Sequence, residues 1–150
     1  VGVYGIIAKP MNALSALKSS NALLYVLASI FAKENSFDDA ILLNAAGRVC
    51  EATSSNLFVI KDEKIFTPSL AEGCVEGVLR TLLLNHFKME EMQITVEHLA
   101  TADSAFLSNT IQGVRAVQAI NAKTYAVKPV EVIHQQYLQL LSSHIGKPFS

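Results

Sequence analysis

From Ala22 onward the apolar residues Leu23, Leu24, Val26, Leu27, Ile30 and Phe31 recur at helical spacing, which predicts a helix from about 20 to 34 that stops near Asn35. Ser19, Ser20 or Asn21 can supply its N-cap. Ahead of it, residues 2–9 read as a strand ended by Pro10, with a linking loop over 11–17. Behind it, Ala40 to Leu43 and Arg48 to Glu51 read as two strands of a hairpin around the turn Asn44-Ala45-Ala46-Gly47. A small polar loop, 52–56, leads into a second pair of strands, Leu57 to Lys61 and Lys64 to Thr67, which Asp62-Glu63 separates and Pro68 ends.

The second half follows the same reading. Ser69 to Glu76 is a loop holding Gly73, and Gly77 opens a helix carrying Val78, Leu79, Leu82, Leu83 and Phe87. Met92 to Val96, Ala105 to Ser108 and Val114 to Ile120 read as strands, with one helical turn over Glu97 to Ala102. A last helix spans about 130 to 144, with Val132, Ile133, Tyr137, Leu140 and Leu141 on its apolar side. Strands and helices mix without a strict alternation, so the expected class is α/β with a mixed, barrel-like sheet.

Composition narrows the function. The 150 residues suffice for one domain with a sizeable core. Mean hydropathy is +0.33 with 17% charged residues, which points to a surface covered by another domain or subunit. No apolar run reaches the roughly 18 residues of a membrane helix. The net charge of −1 gives no basic footprint for nucleic acid. Cys50 and Cys74 stand apart and read as small apolar residues of a reducing compartment, which implies a cytoplasmic location. His86, His98, His134 and His144 have no metal-ligand spacing, so no metal site is expected. The chain opens on Val1 directly into a strand, as a fragment or the later part of a longer protein would.

Four places have chemical meaning. Lys18 precedes the first helix, beside its positive end, where a desolvated lysine is partly a free amine and a nucleophile; a surface loop is the alternative. Val49 and Glu51 share a strand face by alternation, so Glu51 is either buried and in need of a cation, such as a protonated pyridine nitrogen, or solvated at the strand end. Gly73 to Arg80 brings two glycines to a helix N-terminus, a geometry suited to phosphate, and Arg80 could pair with a phosphate or a carboxylate; a surface salt bridge is the alternative for Arg80. Ser108-Asn109-Thr110 ends a strand in three hydrogen-bonding side chains, from which Thr110 could donate to a phosphate; ordinary turn chemistry is the alternative.

The order and spacing of these places carry more than each alone. Lys18-x-x-Asn21 is followed by Gly47-Arg48-Val49-Cys50-Glu51-Ala52-x-x-x-Asn56-Leu57-Phe58, then Phe66-Thr67-Pro68, Gly77-Val78-Leu79-Arg80, Ala102-Asp103-x-x-Phe106 and Asn109-Thr110-x-x-Gly113-Val114-x-x-Val117. Over about residues 15–120 this series resembles the class IV (fold type IV) aminotransferases that use pyridoxal 5′-phosphate. That family includes branched-chain and D-amino-acid transaminases and aminodeoxychorismate lyase.

The resemblance implies Lys18 as the Schiff-base lysine and Glu51 as the partner of the cofactor's pyridine nitrogen. It implies Val78 and Leu79, through backbone N–H groups, and Thr110, through its hydroxyl, as the phosphate cradle. Ala22 stands where many members carry tyrosine or arginine, and a tyrosine there would bond the cofactor's phenolic oxygen; Tyr25, the nearest tyrosine, could serve, with a packing role as its alternative.

By the same resemblance the chain is the large, C-terminal, pyridoxal-phosphate-binding domain over residues 1–150. The small N-terminal domain is absent, and this polypeptide alone is expected to be inactive. The implied activity is amino transfer between an amino acid, branched-chain among the options, and a 2-oxo acid, by a homodimer. The alternatives are 4-amino-4-deoxychorismate lyase, which eliminates pyruvate, and a non-catalytic α/β binding or subunit domain.

Overall fold

The computed structural model describes residues 1–12, 14–17 and 22–144 of the chain. Strand β1 (Gly2–Lys9) runs parallel to β2 (Ala40–Asn44) through the crossover helix α1 (Leu23–Glu34), and β2 turns back into β3 (Val49–Ala52). At that turn Asn44 Oδ1 accepts from the Ala46 and Arg48 amides, and Gly47 takes the positive φ that the reversal needs. β4 (Asn56–Lys61) and β5 (Lys64–Pro68) form a hairpin whose two turn residues, Asp62 and Glu63, both have positive φ, the geometry that matches strand twist. Helix α2 (Val78–His86) then leads to β6 (Met89–Met92), the short helix α3 (Val96–Thr101), β7 (Ser104–Asn109) and β8 (Gly113–Ala116). A two-stranded ribbon of β9 (Ala119–Ile120) and β10 (Lys123–Thr124) precedes the long helix α4 (Lys128–His144).

The strands make a three-stranded sheet, β1-β2-β3, and a five-stranded sheet, β6-β5-β4-β7-β8. Their facing sides share one core, in which Ile41 and Val49 meet Leu57, Val59, Ala105 and Leu107. The outer face of the larger sheet packs Phe58 and Phe106, stacked with centroids 4.6 Å apart, against Leu79 and Leu83 of α2 and Val130 and Ile133 of α4. The outer face of the smaller sheet packs Tyr4 and Leu42 against Ala28 and Ala32 of α1. The result is an α/β domain in four layers. The two mixed sheets face each other and join through the tight loop after β3, where the Ala52 amide donates to the Ser55 carbonyl at 2.8 Å. Among the described residues no hydrogen-bonded ladder closes them into a complete barrel.

Several sequence expectations move. Helix α1 begins at Leu23 with Ala22 at the N-cap position and no side-chain cap; Ser19, Ser20 and Asn21, expected to cap it, lie outside the described residues. The strand expected at Met92 to Val96 is found earlier, at Met89–Met92. It is an edge strand carrying Glu90 and Glu91, which hid it, while buried Ile94 uses its carbonyl to hold the Val49 amide. The strand expected at Val114 to Ile120 breaks after Ala116, because the Val117 amide bonds Ala105 while Ala119 and Ile120 pair with β10. No helix among the described residues is long and apolar enough to cross a membrane.

Candidate active site

Two irregular strands build the site. Along β1, Tyr4 stands opposite Leu42 and Lys9 opposite Asn44, so five residue steps on one strand answer two on the other. Residues 5–8 bulge into solvent, and the chain re-enters with Lys9 buried. Along β3, Glu51 faces Leu42 but Val49 faces Leu43, so the register slips between them. Val49 therefore packs into the core between the sheets, whereas Glu51 lies on the α1 side with its partner Leu42. The two do not share a face as strict alternation predicts. Glu51 is nonetheless 3% exposed, and the solvated alternative is excluded.

Every oxygen of that carboxylate is used. Oε1 accepts from Lys9 Nζ at 2.5 Å and from the Tyr25 hydroxyl at 2.8 Å; Oε2 accepts from the Val75 amide at 2.8 Å. Lys9 Nζ also donates to the Gly73 carbonyl. The Tyr25 phenol is held protonated far above its ordinary range, chiefly by burial and then by the neighbouring Glu51 charge, so it stays a donor. Its hydroxyl is committed to Glu51. Lys9 has no counterpart among the residues the sequence singled out. Its only sequence signal is a lysine at the end of an otherwise apolar strand.

The loop before α2 is fixed from both sides. Glu72, buried in the 3₁₀ turn Leu70–Glu72, accepts from Asn44 Nδ2 at 2.8 Å and from Arg48 Nε at 2.5 Å. Gly73 follows with φ +90°, and a Cβ there would stand 2.6 Å from the Pro10 carbonyl oxygen. Asn56 Nδ2 donates to the Val75 carbonyl at 2.8 Å, and its Oδ1 lies where a Cβ on Gly77 would be. These contacts present the first turn of α2, whose amides have no intrahelical partner by geometry. Arg80, expected at a phosphate or a carboxylate, is buried and turned away from the cavity, donating to the Pro68 carbonyl and to Glu91.

The third wall is the turn after β7. Asn109 Oδ1 accepts from the amides of Ile111 at 3.0 Å and Gln112 at 2.7 Å, and its Nδ2 donates to Ser55 Oγ at 2.9 Å. This Asx-type turn leaves Thr110 exposed at its tip. Glu51, Val78, Leu79 and Thr110 all border one cavity of about 470 Å³, within the range of small-molecule sites. Lys18 lies outside the described residues; its described neighbours Leu17 and Ala22 both border the same cavity. The arrangement offers an acidic acceptor on one wall and a helix N-terminus with a hydroxyl on another, a shape for a ligand with a basic nitrogen at one end and an anion at the other.

Comparison with known proteins places the chain in a family. A model of the amino-transferase class IV family matches residues 3–120. The aminodeoxychorismate lyase of Vibrio harveyi is 36% identical over 114 residues, covering 73% of this chain and 42% of that protein. The D-alanine aminotransferase of Bacillus licheniformis is 34% identical over 129 residues, 82% of this chain and 45% of that protein. Among solved structures, a putative 4-amino-4-deoxychorismate lyase from Legionella pneumophila superposes with a TM-score of 0.81 at 28% identity, over 89% of this chain and 54% of that one. A branched-chain aminotransferase from Thermoproteus uzoniensis, at 24% identity, shares the fold with a TM-score of 0.86 over 97% of this chain and 52% of that one. The chain spans less than half the length of these curated relatives. With the family model covering most of its length, the chain belongs to the class IV aminotransferases.

Proposed function

We propose that the protein carrying this chain binds pyridoxal 5′-phosphate and transfers an amino group between an amino acid and a 2-oxo acid. The observation that carries the reading is Glu51, a buried carboxylate bordering a cavity whose other wall is the N-terminus of α2. When bound, the cofactor supplies an electron-accepting ring for chemistry at an amino acid's Cα. Glu51 would accept a hydrogen bond from the ring nitrogen and keep that nitrogen protonated. The amides of Val78 and Leu79 and the hydroxyl of Thr110 would hold the phosphate, where the helix dipole favours an anion. The bare Gly77 Cα lets the loop close on Asn56 and keeps those amides in place. Lys18 is assigned as the covalent anchor and the base that moves a proton at the substrate's Cα.

A second reading, elimination of pyruvate from 4-amino-4-deoxychorismate, uses the same residues and is supported by the similarity to the Vibrio harveyi and Legionella pneumophila lyases. Incubating the intact protein with leucine plus 2-oxoglutarate, and separately with aminodeoxychorismate, separates the two. The cofactor reading itself is tested by visible absorbance on adding pyridoxal phosphate, then borohydride reduction and peptide mapping. The label is expected on Lys18; a label on Lys9, or no absorbance at all, rejects the assignment.

We also propose a homodimer, with this chain as the large domain. Support comes from the exposed apolar residues Ile6 on β1, Leu14 and Leu17 in the loop after it, and Leu23 and Val26 on α1, each more than half exposed. Sedimentation of Ile6→Lys and Val26→Glu variants is expected to show a shift to monomer.

A further inference from the structure

We propose that Lys9 is a positioning residue that fixes Glu51 for the cofactor's ring nitrogen and does not itself react. The inference rests on the pyridoxal phosphate reading above and assigns a role to a residue which that reading leaves unused.

Lys9 is 4% exposed, and its ammonium touches two oxygens, Glu51 Oε1 and the Gly73 carbonyl. It also lies 5.6 Å from the centroid of the Tyr25 ring. Glu51 is thereby gripped from three segments: β1 through Lys9, α1 through Tyr25, and the loop before α2 through the Val75 amide. A carboxylate offers about four acceptor positions. Oε1 receives two of these donors and Oε2 one, which leaves room on Oε2 for one further N–H. Glu51 borders the cavity, so that position suits a pyridinium.

The fold goes out of its way to provide this ammonium. β1 abandons regular pairing over residues 5–8 and regains it at Lys9 opposite Asn44. Gly73, held without a Cβ against Pro10, keeps its carbonyl on the ammonium. A buried ion pair is weak as a stability device, because apolar residues of like volume replace such pairs with little loss. Its place at the cavity wall is better explained by the direction in which it holds the Glu51 carboxylate. Lys9 is also badly placed to be the reacting amine. The aldehyde carbon of pyridoxal phosphate lies across the ring from the nitrogen, so an ammonium bound to the carboxylate that faces the nitrogen is at the wrong end.

The test uses the intact protein as wild type, K9M, K9R and K9Q. Each is titrated with pyridoxal phosphate and with its 1-deaza analogue, in which C–H replaces the ring nitrogen. Wild type is expected to prefer pyridoxal phosphate. K9M should lose about tenfold of that preference, the scale of losing an outer-sphere orienting partner, with affinity for the analogue unchanged. K9R should retain the preference, since it keeps the cation and donors. K9Q, which is polar, is read in place of K9M if the latter does not fold. Equal weakening of both ligands would mark Lys9 as merely structural and overturn the inference, as would a preference unchanged from wild type. Wild-type protein that binds neither ligand removes the cofactor reading, and this inference with it. Wild type that binds both equally removes the Glu51–nitrogen contact while sparing the phosphate cradle.

Discussion

Asn56 shows how one side chain shapes the candidate site without touching its chemistry. Its amide nitrogen holds the Val75 carbonyl and its oxygen occupies the space beside Gly77. Gly77 has φ −69°, so its backbone tolerates any residue and the constraint there is purely steric. Gly77→Ala should therefore cost about 1–3 kcal/mol, by pushing Asn56 off the Val75 carbonyl and leaving that group unpaired. Asn56→Ala should cost a similar amount, and the double variant no more than either single one, because both break the same contact. Urea unfolding of the three variants checks this; additive costs would show that Gly77 is constrained by something else. At this scale the sequence was partly legible. Glu51, Val78, Leu79 and Thr110 could be picked out by motif order and do border one cavity. Lys9 could not, since its burial comes from a strand bulge that no residue near it announces.

Among the elements, the loop from Leu70 to Gly77 ties the smaller sheet to α2, and Gly73 is its pivot. Its φ of +90° disfavours any L side chain, and an added Cβ would press on the Pro10 carbonyl oxygen at the end of β1. Gly73→Ala should thus destabilise by at least about 1–2 kcal/mol, the cost of a left-handed backbone for a residue with a Cβ. It should also displace the Gly73 carbonyl from Lys9. Thermal melts together with pyridoxal phosphate titration would detect the paired loss of stability and affinity. A stable variant with full affinity would show that β1 and the loop are coupled less tightly than their contact suggests. Elements whose cores face one way were legible from period alone: α1, α2, α4 and the β4–β5 hairpin all fall close to their expected ranges. The misplaced ones obey tertiary partners. β6 is a charged edge strand held by β5, and the break between β8 and β9 exists because Val117 turns to Ala105.

For the molecule as a whole, two buried thiols predict how stability changes in alkali. Burial pushes Cys50 from an ordinary value of 9.0 up to about 12, with the nearby Lys9 charge opposing the rise. Burial likewise pushes Cys74 up to about 11, with Arg80 as the chief opposing charge. Both thiols are engaged with backbone carbonyls: Cys50 Sγ lies 3.0 Å from Glu72 O, and Cys74 Sγ lies 3.5 Å from Pro68 O. The unfolded chain releases these protons near pH 9 while the folded chain keeps them, so the folded state binds more protons above that pH. Stability then falls as pH rises. The contribution is intact below about pH 8.5, a little under the free-thiol value, and declines progressively above it. Each thiol adds at most about 1.4 kcal/mol of loss per pH unit within its window. Urea midpoints measured from pH 7.5 to 10.5 should thus drop more steeply in wild type than in Cys50→Ala, which removes one of the two titrating groups. Cys50 lies within β3 beside Glu51, and its replacement by alanine keeps a small apolar side chain there. A slope identical in the two proteins would mean that the unfolding reaction does not expose Cys50, and hence that β3 stays packed when the rest of the domain opens.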